Sequence, residues 1–337
     1  MKILLVITGG TIGSTTTNST IDVDNESSDR LLKMYKDTYG ENTDFTVIQP
    51  VNLLSENSSF ESLNVLCNIM LSIDYDSYDG VIVTHGSDTL SYTSSLLGML
   101  LAFVKKPIVI IAANYPIDDK RSNGLINLHS AVAVITSKKA NGVFTVFGYE
   151  NEHTVYLSTR ICEADPYCDR FSAFGGAPLG YTANDKFIIN NNKISPTIQE
   201  LNNKNERLFD TIKLHNSIML IRPYPNMDYN AVDLSRKPAA ILHYLYHSGT
   251  ACTTGGTKNF LEFAKLCNDK GIPLYIGSCK HGDIGYITAK EMEKLKVQKL
   301  YNISMESAYM KLCLAYNQSC ISPCELMSKN LFFEYLP

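Results

Sequence analysis

Lys2-Ile3-Leu4-Leu5-Val6-Ile7 runs without a spacer into Thr8-Gly9-Gly10-Thr11-Ile12-Gly13-Ser14, so an aliphatic run ends in a glycine-rich turn that carries hydroxyls. A continuous run of this kind is how a strand buried on both faces of a parallel sheet reads. In open α/β sheets, reactive groups gather outside the carboxyl ends of such strands. Gly9, Gly10 and Gly13 allow the backbone to approach a ligand with no Cβ in the way, which makes Gly10 a candidate substrate contact and Thr11 the first candidate nucleophile. The pattern recurs where Gly80-Val81-Ile82-Val83 meets Thr84-His85-Gly86-Ser87-Asp88-Thr89, ahead of the helix-like stretch Leu90 to Phe103. Two such turns can face each other across one crevice, which adds Gly86, Ser87 and Asp88 to the candidates.

Working outward, apolar strand candidates at 2–7, 45–48, 80–84, 107–112 and 143–147 alternate with helix-like stretches at 28–38, 60–74, 89–104 and 124–137. This βαβ rhythm predicts an α/β fold, with a doubly wound, mostly parallel sheet in a large N-terminal domain over 1–190. The asparagine-rich, turn-forming stretch from Asn190 to Glu206 marks a linker over 191–210. Beyond it, Ser217 to Ile221, Ala239 to Leu242 and Pro273 to Ile276 predict the strands of a smaller α/β C-terminal domain over 211–337.

The chain has 337 residues, 45% of them hydrophobic and 19% charged, which suits one large or two medium globular domains and excludes disordered and fibrous classes. A net charge of −4, and no Lys/Arg run longer than two residues, argue against nucleic acid as a partner. The run Val104 to Ala113 is broken by Lys105, Lys106 and Pro107 and falls far short of the roughly 20 residues that span a bilayer, so no membrane association is expected. The amino terminus lacks the length and cleavage site of a signal peptide, and a cytoplasmic location is expected. The nine cysteines are scattered without the paired spacing of a zinc site; Cys320 and Cys324 could touch, but they lack a His-rich partner segment. His243 and His247 stand four apart without the carboxylate of a metalloprotease helix, and His85 reads as a packed histidine. No metal and no cofactor are expected.

Taken together, TGGTIGS near the amino terminus and THGSDT about eighty residues later resemble the L-asparaginase family of homodimeric or homotetrameric amidohydrolases. The segments Ile117 to Leu128, His247 to Ala251 and Ile303 to Ala308 extend the resemblance over nearly the whole chain. It implies that Thr11 and Ser87 are the two catalytic hydroxyls, serine standing where the family usually has threonine, and that Asp88 binds the substrate α-ammonium. Leu54-Ser55-Glu56-Asn57 resembles the family's substrate-holding pair, with Ser55 for the α-carboxylate and Glu56 for the α-ammonium. The family also uses a lysine paired to the aspartate of the second turn, and Arg160 is the only cation near that place. A loop tyrosine that assists the nucleophile is absent between Ile12 and Met34, leaving Tyr167 or another tyrosine to substitute.

A threonine hydroxyl attacks a carboxamide only with a base for its proton and donors for the oxyanion. The resemblance implies hydrolysis of L-asparagine to L-aspartate and ammonia, with a small amino-acid amide as the only ligand and the hydroxyl-rich 12–25 loop closing over it. Other readings stay open. The first turn could cradle a phosphate, Ser87 and Asp88 could cap the following helix, and Ser55-Glu56 could start one. Because Arg160 keeps its proton at any accessible pH, an amino-acid-binding sensor on the same fold is the alternative function.

Overall fold

The amino-terminal aliphatic run forms a strand in the interior of a sheet, with Ile3, Leu5 and Val6 all fully buried. A computed structural model describes residues 1–17, 20–23, 27–149, 152–203, 205–279 and 285–337, with backbone alone for 15–17, 20–23 and 27–28. The chain divides into two units, Met1–Lys213 with Leu331–Phe333, and Leu214–Asn330 with Glu334–Pro337.

The first unit begins with strand β1 (Lys2–Ile7), the hairpin β2 (Ser14–Thr17) and β3 (Thr20–Val23), and helix α1 (Ser27–Tyr39). It continues through β4 (Asp44–Ile48), α2 (Phe60–Ser72), β5 (Gly80–Thr84), α3 (Leu90–Leu100), β6 (Pro107–Ile111), α4 (Gly124–Ser137) and β7 (Gly142–Tyr149). Strands β8 (Glu152–Leu157), β9 (Ile161–Asp165), β10 (Arg170–Ala173), β11 (Gly180–Ala183) and β12 (Lys186–Ile189) and the short helix α5 (Ile198–Leu201) complete it. The main sheet has eight strands in the order β12-β11-β8-β7-β6-β5-β1-β4. From β4 to β7 it is parallel, and beyond β7 it continues antiparallel. Helix α1 packs on α4 and α2 on α3, giving the two helical layers of a doubly wound fold. Every residue of β5 and β6 is buried, which is why these strands read as unbroken aliphatic runs.

Two segments differ from their sequence reading. The hydroxyl-rich 12–25 stretch contains an antiparallel hairpin pairing Ser14 with Val23 and Thr17 with Thr20, because its threonines, Ile21 and Val23 are β-branched. Residues 18–19 and 24–26, and the side chains of 15–28, lie outside the described residues, and so does the expected closure of this segment. The asparagine-rich 191–210 stretch lies within the first unit, where its polar side chains are spent on ties. Asn202 Nδ2 donates to Lys139 O at 2.9 Å, Asn205 Nδ2 to Ala102 O at 3.1 Å, and Arg207 Nη2 to Leu71 O at 3.2 Å. Asn68 and Ile212 then clasp each other through two 2.9 Å bonds.

The second unit is a four-stranded parallel sheet of β13 (Ile218–Ile221), β14 (Ala240–Tyr244), β15 (Leu274–Cys279) and β16 (Gln298–Tyr301), in that order. Helices α6 (Phe260–Asp269), α7 (Ile287–Met292), α8 (Met305–Ala315) and α9 (Pro323–Ser328) accompany it. His243 is fully buried in β14, its ring 4.6 Å from that of Phe260 and its Nε2 2.8 Å from the Tyr229 hydroxyl. His247 is held apart from it at the surface, with Nε2 3.2 Å from Ser248 Oγ.

Burial pushes the His243 imidazole down to about 4 from its ordinary 6.5. The unfolded chain takes up a proton here that the folded chain excludes. The contribution is therefore complete above pH 6.5 and is lost as the pH falls through about 4. Urea unfolding should show up to ~3 kcal/mol of stability disappearing across that window. His243→Gln, whose side-chain carbonyl still accepts from Tyr229, should lose most of this slope; an unchanged slope would place the proton uptake elsewhere.

Candidate active site

The two hydroxyl-bearing turns leave neighbouring strands at the same level, because Ile7 at the end of β1 is in register with Thr84 at the end of β5. Between β4 and β5 the chain crosses to the other side of β1, so the crevice between these strand ends is the topological switch point of the sheet. The turns meet through their glycines. Gly10 has φ +73°, and a Cβ on it would lie 2.3 Å from Gly86 N and 2.5 Å from Gly86 Cα. A Cβ on Gly86 would lie 2.4 Å from Ser55 Oγ. A third segment is stitched to the first turn by Gly10 N–H donating to Leu53 O at 2.9 Å and Leu53 N–H donating to Thr8 O at 3.1 Å. Gly10, Thr11, Ser55, Gly86, Ser87 and Asp88 are thus gathered around one backbone contact.

Most hydroxyls around that contact are committed to holding it. Thr8 Oγ1 donates to Thr84 O at 2.7 Å, Ser14 Oγ to Gly10 O at 2.7 Å, and Thr89 Oγ1 to Ser55 O at 3.0 Å. Ser55 Oγ, buried, makes a long 3.5 Å bond to Asp88 Oδ2. Thr11 and Ser87 are half-buried, and neither side chain has a partner among the described residues. Thr11 opens a single 3₁₀ turn, Thr11–Gly13.

The competing local roles fall away. Helix α3 starts after Thr89 with no side-chain cap, so Ser87 and Asp88 are not spent as caps. Ser55 and exposed Glu56 belong to a separate 3₁₀ turn, Ser55–Asn57, whereas α2 is capped by Ser59 with its own capping box. His85 is packed: Nδ1 lies 2.8 Å from Gly86 O, and because a carbonyl can only accept, Nδ1 carries the proton. Burial depresses its pKa, which keeps the ring neutral.

Beside the second turn lies a cleft of about 360 Å³ lined by Ser87, Asp88 and Asn114. Glu163, Asp165 and Asp169 also line it with carboxylates, and Phe147 and Phe171 add apolar wall. The Asp165 carboxyl is held below its ordinary pKa by the backbone N–H groups of Tyr167 and Cys168, at 2.9 and 3.1 Å. Sequence reasoning missed Asn114 and this carboxylate wall. Asn114 had a usable signal, standing just past the aliphatic run of β6, where a parallel strand opens onto the crevice.

Of the site candidates Ser87 and Asp88 line this cleft, whereas Thr11, Ser55, Glu56 and Arg160 are not among its lining residues. Arg160 is 3% exposed, with Nε donating to Phe333 O at 2.6 Å and Nη1 to Ile194 O at 2.5 Å. Beside it Thr159 Oγ1 donates to Phe332 O at 2.6 Å, so this corner tethers the carboxyl-terminal stretch of the first unit. Tyr167 is 97% exposed at the β9–β10 turn. Among the described residues no three His, Cys, Asp or Glu side chains gather to hold a metal, and no helix is long and apolar enough to cross a membrane.

The fold and this crevice define an open, doubly wound α/β protein with a candidate site at the switch point. Residues 2–195 match the family model described as Asparaginase, N-terminal, and the chain belongs to the asparaginase family of amidohydrolases. L-asparaginase 1 of Escherichia coli K12 is 26% identical over 346 residues, covering 100% of this chain and 98% of that protein. One chain of the glutamyl-tRNA(Gln) amidotransferase of Thermoplasma acidophilum is 25% identical over 319 residues, covering 92% of this chain and 74% of that protein. The thermostable L-asparaginase from Thermococcus kodakarensis superposes with a TM-score of 0.82 at 22% identity, over 99% of each chain, which establishes the shared fold.

Gly10→Ala tests the contact on which this arrangement rests. The added methyl meets backbone rather than a movable side chain, and the positive φ adds strain of ~1–3 kcal/mol. The variant should melt well below the wild type and lose ligand-induced stabilisation; a wild-type melting point would show that the turns are not in contact.

Proposed function

We propose that the protein hydrolyses the side-chain amide of L-asparagine to L-aspartate and ammonia through an ester on Thr11. The observation that carries this reading is that the Thr11 and Ser87 hydroxyls stay uncommitted and half-buried at the switch point while Thr8, Ser14 and Thr89 beside them are spent on the frame. Thr11 Oγ1 attacks the carboxamide carbon, the C–N bond breaks, and the threonine proton leaves with the nitrogen as ammonia. Water then cleaves the ester, giving a carboxylic acid and returning the hydroxyl. Ser87 assists from the second turn.

Asp88 and Glu56 take the α-ammonium and Ser55 the α-carboxylate, a charge arrangement that suits a zwitterion. Ser55 and Asp88 are already in contact, which supports assigning them to one ligand. Gly10 and Gly86 bring backbone to the same point. The full pairing of L-asparaginase 1 with this chain supports asparagine as the substrate. The protein is proposed to act in the cytoplasm as a homodimer or homotetramer; a probable cytoplasmic L-asparaginase from Campylobacter jejuni shares its fold, which supports that location.

Arg160 favours a second reading, an amino-acid-binding protein with impaired hydrolysis. A guanidinium keeps its charge, and two of its donors here hold backbone carbonyls, so it supports the fold more directly than the chemistry.

Ammonia release separates the two. Thr11→Ala should abolish turnover and Ser87→Ala should lower kcat by about a hundredfold or more, with both variants melting like the wild type. If the wild type releases no ammonia yet is stabilised by L-aspartate, the binding protein is the correct reading. Arg160→Lys should lower the melting temperature without raising turnover, since one ammonium cannot span both carbonyls; a gain in kcat would return residue 160 to the reaction.

A further inference from the structure

Asn114 lies at the carboxyl end of β6, and its amide orientation is fixed by bonds that admit one assignment. Asn123 N–H donates to Asn114 Oδ1 at 3.1 Å, and Asn114 N–H donates to Asn123 Oδ1 at 2.9 Å. Backbone N–H groups only donate, so each contacting side-chain atom is the oxygen. The Asn114 Nδ2 group is left over, and no described residue accepts from it.

The clasp is itself braced. Asn123 Nδ2 donates to Gly148 O at 2.7 Å. One turn later on α4, Asn127 takes Gly148 N–H at 2.7 Å and donates to Ala112 O at 2.8 Å. The ends of β6 and β7 are therefore locked to α4, and Asn114 is set in place before any ligand arrives.

Of the side chains that line the cleft, Asp88, Glu163, Asp165 and Asp169 are carboxylates, Ser87 offers a hydroxyl, and Asn114 is the one nitrogen donor among these described residues. A substrate oxygen entering between carboxylates is repelled unless a donor meets it. We propose that Asn114 is a substrate-binding residue whose Nδ2–H donates to a carboxylate or carbonyl oxygen of the bound amino acid. This rests on the amino-acid pocket described under the proposed function and adds a residue to it.

Asn114→Asp separates the donor from the clasp, because an aspartate oxygen still accepts Asn123 N–H while the N–H donor is gone. Asn114→Leu removes both. The aspartate variant should melt close to the wild type yet lose about ten- to a hundredfold in kcat/KM on L-asparagine. The loss should persist at high salt, where repulsion by the new carboxylate is screened. A fall in kcat would place the contact on the reacting carbonyl, and a rise in KM would place it on the α-carboxylate. The leucine variant should lose stability as well.

An aspartate variant as active as the wild type, with leucine alone impaired, would reduce Asn114 to its clasp and overturn the assignment. If the wild type releases no ammonia but is stabilised by L-aspartate, hydrolysis falls while Asn114 is judged by whether Asn114→Asp abolishes that stabilisation. A wild type stabilised by neither L-asparagine nor L-aspartate would overturn both readings.

Discussion

The backbone of Gly10 rests against the backbone of Gly86 at a distance that leaves no room for a Cβ, and the arrangement of the site follows from that contact. Two parallel strands in register set the turns at one height, but strands lie ~4.8 Å apart and side chains between their ends would hold the turns open. Removing the Cβ lets the turns close. The residues after each glycine, Thr11 and Ser87, are then presented from neighbouring turns, and Ser55 is pressed against Gly86 from the third segment. The proposed nucleophile, the second hydroxyl and the serine proposed to hold substrate are gathered at one point by sterics before any charge acts.

The hydrogen bonds around this point show a division of labour. Thr8, Ser14 and Thr89 resemble Thr11 and Ser87 in chemistry, but each donates to a backbone carbonyl of the frame. Gly10 O and Ser55 O also accept backbone N–H groups, from Gly13 at 2.9 Å and Ser58 at 3.0 Å, so Ser14 and Thr89 add a second bond to carbonyls already paired. Asparagines play the same part farther out. Asn123 and Asn127 bridge the ends of β6 and β7 beyond Ile111 and Val146, the last residues that pair these two strands with each other. A cleft built on such ties meets its ligand already ordered, which reduces the entropy lost on binding.

Residue 160 shows how position and role can part. Its place in sequence suggests a cation beside the second turn. In the fold its guanidinium donates to two backbone carbonyls, from Nη1 to residue 194 and from Nε to residue 333. Lysine, with one nitrogen, could not make the same tie.

Much of the first unit was legible because its central strands are buried on both faces. Val81-Ile82-Val83 and Ile108 to Ile111 have no polar side to confuse the period, and the glycine turns mark where they stop. The antiparallel extension β8, β11 and β12 was not legible, since burial alternates along β11 and β12 but outward positions carry Tyr181 and Ile188; the turn Asn184-Asp185, with φ of 49° and 59°, was its best local signal. The asparagines of 191–210 read as turn formers because sequence shows what a side chain can bond to and not which carbonyl will be in reach. Local chemistry alone specifies the strand-turn units, the two hydroxyls and the glycines that admit them, since these depend on neighbouring residues and on the absence of a Cβ. Tertiary structure decided which hydroxyls are committed, that Arg160 holds carbonyls, and that Asn114 faces a cleft walled by carboxylates, because each depends on partners up to about 170 residues away that only folding brings within bonding distance.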